Sequence, residues 1–286
     1  GVINLGTLAV DGTVALTTHG SGNATVVNDA GLNFAASTVG GNLIATATTG
    51  NMTDSGALAI SGTSSFTTSA SGADITLDTT TNAFTGAVAL NTTGSQWDNE
   101  SERGDATIDG GTTALDIAAS TVGGILTLRS GNASGITDSG TVTVGNWLVA
   151  TTDANNGVIN LGTLAVDAGI HLNTHGTGNA TAVNDAGFLF GGGGSTVGGN
   201  LAATATTGNM TDNNDGSVTV AGTSSFTTSA NNATITLDDT DHSFTGAVTI
   251  TTNDNSGMDA DVMIDGGTTA LILAASTIDG DLTVRS

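Results

Sequence analysis

The sequence predicts an all-β fold, a parallel β-helix (β-solenoid) with about three short strands per coil and about eleven coils. Three observations predict it. Residues Gly1 to Asp11 recur letter for letter at Gly157–Asp167, a shift of 156 positions that also carries His19-Gly20 onto His175-Gly176 and Arg129-Ser130 onto Arg285-Ser286. Short runs of alternating apolar residues fill the repeated unit and are separated by Gly, Asn, Asp and Ser. Pro is absent from all 286 residues, as expected where nearly every strand donates to a ladder.

The runs come in threes. Leu8-Ala-Val10, Leu32-Asn-Phe34, Leu58-Ala-Ile60, Ala83-Phe84, Leu115-Asp-Ile117 and Val142-Thr-Val144 open successive segments, spaced by roughly 25 residues. Second runs follow, such as Val14-Ala-Leu16, Val88-Ala-Leu90 and Leu126-Thr-Leu128, and third runs, such as Ala24-Thr-Val26, Ile75-Thr-Leu77 and Ala106-Thr-Ile108. Period-two alternation over three to five residues bounded by turn formers reads as half-buried strand. Helix is disfavoured by the frequent Gly and β-branched residues. Equivalent strands recurring once per coil can pair with their own counterparts about 4.8 Å away, which selects a solenoid over the alternative, an antiparallel sandwich. Residues 1–156 then form a first six-coil unit and 157–286 a second, truncated one, in one continuous solenoid rising roughly 50 Å. Both ends fall in mid-unit, as in a window cut from a longer array.

Composition narrows the partners. Lys and Arg number 3 against 26 Asp and Glu, a net charge of −23, so nucleic acid and anionic membranes are disfavoured. No apolar stretch is long enough to span a bilayer, and membrane insertion is not expected. The 37% hydrophobic content argues against disorder, and aromatics at 3% point to a narrow core of stacked aliphatics.

The phrases Ser37-Thr-Val-Gly-Gly-Asn-Leu43, Gly62-Thr-Ser-Ser-Phe-Thr-Thr-Ser69, Asn82-Ala-Phe-Thr-Gly-Ala-Val88 and Gly110-Gly-Thr-Thr-Ala-Leu115 return at Ser195, Gly222, His242 and Gly266. They resemble repeats of giant bacterial surface proteins of the filamentous-haemagglutinin and autotransporter-adhesin type, across the whole chain. The resemblance implies a secreted, right-handed β-helix at the cell surface, serving as a stalk, fibre or adhesive shaft. Such a shaft is expected to associate with itself, end to end or laterally.

Catalysis finds little material. His19 and His175 are the same repeat position, a glycine-flanked turn, and no GxSxG elbow accompanies the many serines. His171 and His175 lie four apart, a spacing that does not converge on a metal along a strand. Gly191–Gly194 lacks the GK[ST] of a phosphate loop and reads as a padded turn. Thr-rich strand ends are too irregular for an ice-binding face. The chain is therefore not expected to be an enzyme.

Two features stand out for binding. Asp29, Asp54, Asp78, Asp109, Asp138, Asp185, Asp212, Asp238 and Asp265 each close a run. Stacked about 5 Å apart they would repel by about 1 kcal/mol per pair in bulk water and about 3–4 at an effective dielectric of 20. A bound Ca²⁺ edge would offset that. The alternative is that each Asp caps its own turn. The second feature is the loop Thr93–Gly104, with Trp97, Asp98, Glu100, Glu102 and Arg103. It reads either as a recognition loop, with cell-surface glycans as its partner, or as a tolerated insertion. Trp147 continues an apolar strand and is expected to pack.

Overall fold

The computed structural model describes residues 1–94, 102–213, 216–253, 257 and 259–286. The architecture is all-β, a right-handed parallel β-helix of about 12 turns. Contacts divide the chain into two units, Gly1–Asn146 and Trp147–Ser286.

In the first unit one wall stacks Ile3–Leu8, Ala24–Asn28, Leu43–Ala47, Ser64–Ser71 and Val88–Thr93, each pair parallel. Register steps are 19 residues from Ala24 to Leu43, 21 from Leu43 to Ser64 and 24 from Ser64 to Val88. The opposite wall stacks Thr13–Val14, Leu32–Phe34, Met52–Asp54, Ile75–Leu77, Ala106–Asp109 and Leu126–Ser130. A small third sheet, Ser37–Val39, Leu58–Ile60 and Ala83–Phe84, continues that wall around a corner.

Three strands per coil therefore hold only where a wall is broken by a corner. The break also changes walls. Leu115–Ile117 and Ser120–Val122 both lie against the unbroken strand Val88–Thr93, through Val88 with Ile117 and Asn91 with Thr121. Ile136–Asp138 and Val142–Val144 repeat the broken form, while Leu126–Ser130 on the other wall runs unbroken.

The second unit is built alike. Ile159–Val166, Ala180–Asn184, Leu201–Ala205, Ser224–Asn231 and Val248–Asn253 form its unbroken wall. Opposite, Leu148–Asn155 and Ile170–His175 precede the broken pairs Phe188–Phe190 with Ser195–Val197, Met210–Asp212 with Val218–Val220, and Ile235–Leu237 with Ser243–Phe244. The break changes walls here too, where Val248 bridges Leu273 and Thr251 bridges Thr277.

Alternation sends every second residue inward. The pattern is buried–half-buried–buried–half-buried–buried at Ala24–Asn28, Ala180–Asn184 and Leu201–Ala205. All seven Phe are fully buried. Six of them meet edge to face: Phe34 with Phe66 at 6.4 Å and Phe66 with Phe84 at 5.9 Å between ring centroids. In the second unit Phe190 meets Phe226 at 6.0 Å, and Phe226 meets Phe244 at 5.7 Å. Such pairs add about 0.5–1.5 kcal/mol each to the burial term.

Corners create unpaired N–H groups, and small inward polar side chains take them up. Ser37 Oγ accepts the Leu16 N–H (3.0 Å) and donates to the Ala35 carbonyl (2.8 Å). Ser120 does the same for Leu90 and Ala118, and Ser276 for Ile250 and Ala274. Thr18 and Thr174 close the turns after unbroken strands. Each donates across its turn, to Gly22 (2.9 Å) or Gly178 (2.7 Å), and accepts an N–H from the next coil, Gly40 (2.9 Å) or Gly198 (3.0 Å). Glycine is required where turns stack: a Cβ at Gly40 would overlap the Gly20 carbonyl oxygen.

Candidate functional site

The run-ending aspartates do not form one edge. Asp29 and Asp185 lie exposed beyond unbroken strands; the Asp29 N–H donates to the Leu8 carbonyl, and the Asp29 carbonyl accepts from Thr48. Asp138 sits opposite Ile117 on the broken part of the same wall. Asp54, Asp78 and Asp109 belong to the opposite wall of the first unit, and Asp212, Asp238 and Asp265 to that of the second. There Asp54 pairs in register with Phe34 and Asp212 with Phe190. The nine do not share one column: Asp29 and Asp185 follow strands of the unbroken wall, the break carries Asp138 onto that wall, and the other six lie opposite, where Asp78 precedes Asp109 and Asp238 precedes Asp265 at one margin. Among the described residues no group of three or more His, Asp or Glu is arranged to hold a metal ion.

Asp109 lies in register with Arg129, and Asp265 with Arg285. Asp109 and Asp265 cap their own turns, accepting the N–H groups of Gly111 (2.7 Å) and Gly267 (2.8 Å). Other carboxylates cap the next coil. The Asp74 N–H donates to Asn51 Oδ1 (3.0 Å), Asp105 N–H to Asp74 Oδ1 (2.8 Å), and Ile125 N–H to Asp105 Oδ1 (2.7 Å). That ladder of Asn and Asp was not singled out in the sequence. Its residues lie 23, 31 and 20 positions apart, too irregular for a period to mark them.

Among the described residues a close acid–imidazole contact joins His242 Nε2 to Asp212 Oδ2, at 2.6 Å, beside a cavity of about 270 Å³ lined by Asp212, Asn213, Asp238, Asp239 and Thr240. A His–Asp pair is the base half of a hydrolytic triad. Here both ring nitrogens are already engaged. Nδ1 accepts the Val218 N–H at 2.9 Å, which places the proton on Nε2, facing Asp212. No lone pair is left to take a substrate proton, and the pair acts as a corner brace.

His171 is nine-tenths buried, with its ring edge against Trp147 at 5.3 Å. Burial pushes its pKa below the ordinary histidine value. The padded turn Gly191–Gly194 passes over it. Gly192, Gly193 and Gly194 take φ of 58°, 125° and 77°, which side chains other than glycine resist. Trp147 packs across Gly169, where a Cβ would run into the indole.

Of the expected recognition loop, Trp97, Asp98 and Glu100 lie outside the described residues. Glu102 is exposed and Arg103 half-buried. The base of the loop is tied: Thr92 Oγ1 donates to the Gly104 carbonyl at 2.6 Å.

A family model of repeats of unknown function (DUF5649) matches residues 21–91 and 177–251, more than half of the chain. The chain belongs to that family. Each DUF5649 match begins just before a strand of an unbroken wall, Ala24–Asn28 or Ala180–Asn184, and ends within a later strand of that wall, Val88–Thr93 or Val248–Asn253. The match carries no link to filamentous haemagglutinins or adhesins. No curated protein and no solved structure matches the chain.

Proposed function

We propose that this DUF5649 repeat chain is a segment of an extracellular shaft or fibre whose work is to span distance. The observation that carries the reading is the coil-to-coil ladder. Ala24, Leu43, Ser64 and Val88 follow one another in parallel register, and Ala180, Leu201, Ser224 and Val248 repeat the series. Corner side chains such as Ser37 and Thr18 bond the neighbouring coil, so each turn is fixed to the next by backbone and side chain together. A structure held by nearest-neighbour contacts resists tension one coil at a time. The resemblance to bacterial surface repeats supports placing the shaft outside the cell, where a charge of −23 keeps it solvated.

Pulling the chain by its ends tests the reading. With coils of 19 to 31 residues, sequential rupture lengthens the chain in steps of roughly 60–105 Å. A single rupture at low force for each unit counts against a mechanical role.

A second reading is favoured by the tied loop base at Thr92 and Gly104. The intervening segment is a surface- or glycan-binding element on the shaft. Replacing residues 95–103 by a short Gly-Ser link and measuring binding to a glycan array separates the two; unchanged binding removes the loop from the account.

A further inference from the structure

The acidic residues are unevenly placed. On the unbroken wall of the first unit the outward residues run in two ranks. One is Val27, Thr46, Thr67 and Asn91, in successive register. The other carries Thr25, Ile44, Ser65 and Ala89, and Ile44 stands 50% exposed. The second unit has Val183, Thr204, Thr227 and Thr251 in the first rank and equally uncharged residues in the second. In a chain with 26 Asp and Glu, neither stretch of wall bears one charge. One acidic corner is shared: Asp29, Asp74 and Asp105 follow strands of this wall, whereas the outward Thr53, Thr76 and Thr107 of the opposite wall have Asp78 and Asp109 at their other margin as well.

We propose that this uncharged wall is the face through which two copies of the chain associate side by side. The proposal rests on the shaft reading and specifies its lateral partner. Two bodies of charge −23 repel, and a contact through the strand residues of this wall keeps carboxylates to one margin, where Asp29 and Asp185 lie exposed beyond Asn28 and Asn184. Small Thr, Ala, Val and Ser side chains on a regular sheet also suit face-to-face packing, at about 10 Å between sheets. The contact is isologous, with the same ranks on both copies. Four strands of about five residues offer roughly 300 Å² on each copy, below the about 800 Å² per partner of a standard interface. One face therefore binds weakly, and affinity grows with the number of repeat units linked in a chain.

Sedimentation equilibrium of the intact chain tests this, at concentrations up to the millimolar range and at low and high NaCl. Association is expected to strengthen severalfold with salt, because salt screens like-charge repulsion. Thr46→Asp with Thr204→Asp, both outward on the uncharged wall, is expected to weaken association at least tenfold with an unchanged circular dichroism spectrum. Thr76→Asp with Thr236→Asp, on the opposite wall, leaves it within twofold. A monomer under all conditions overturns the proposal, as does association that survives the first pair or responds equally to both. Loss of association only in Leu282→Lys with Val284→Lys, on the exposed last strand, assigns self-association to coil ends. That overturns the lateral face and leaves the shaft reading, tested separately by the force steps, in place.

Discussion

Asn82 and His242 brace the same corner of the coil with different chemistry. Asn82 Oδ1 accepts the Leu58 N–H at 2.8 Å while its Nδ2 donates to Asp54 Oδ2 at 2.6 Å. His242 Nδ1 accepts the Val218 N–H at 2.9 Å while Nε2 faces Asp212 Oδ2 at 2.6 Å. Both side chains are 1% exposed. Each offers one acceptor and one donor at the spacing the corner requires, which is why the two repeats exchange Asn for His without changing the fold.

This equivalence predicts an asymmetric pair of substitutions. His242→Asn should cost within about 1 kcal/mol, since the first unit already uses Asn. His242→Leu strands a buried N–H and a carboxylate and should cost about 1–3 kcal/mol for each group left unmade. Urea denaturation of both variants measures the difference.

The corner serines give a second prediction. Ser37→Ala and Ser120→Ala remove the acceptors of the Leu16 and Leu90 N–H groups. Each should destabilise by about 1–3 kcal/mol. Amide exchange should quicken first at Leu16 or Leu90, in the strand facing the corner.

Phe66 touches both Phe34 and Phe84. Phe66→Ala should cost about 3–5 kcal/mol, in the range of core aromatic truncations. Because coils are coupled to neighbours, loss of protection should spread from Ser64–Ser71 to the strands on either side. Hydrogen exchange resolved by peptide checks the pattern.

His171 supplies a pH dependence. Burial lowers its folded-state pKa from 6.5, so the unfolded chain binds the proton more readily. Stability from this group is present above about pH 6.5 and is lost as pH falls from there toward the lowered folded-state value. His171→Ala, which installs the residue found at Ala15 in the first repeat, should remove that part of the acid sensitivity. Denaturation at pH 5 and 7.5, with Trp147 emission as a local probe, compares the two proteins.

The strands were legible in the sequence because Leu32-Asn-Phe34 and Ile75-Thr-Leu77 alternate in a way that only a half-buried strand uses. The corners were less so. Alternation with Val39 turns Ser37 inward and Thr38 outward, but nothing local names the N–H that Ser37 takes up. The partner lies 21 residues away on another coil. The acidic edge misled for a related reason. Asp54 and Asp138 both close an apolar run of the broken wall, yet the break changes walls between them and sets them on different sheets. The bracing role of His242 is legible only beside Asn82, as a substitution that preserves one donor and one acceptor.

Electron microscopy of chains carrying two, three and four copies of the 156-residue repeat tests the central claim most directly. The account predicts particles of constant width whose length grows linearly, by about 4.8 Å for every added turn. Particles that widen in all directions as copies are added, or that keep one length, would contradict it.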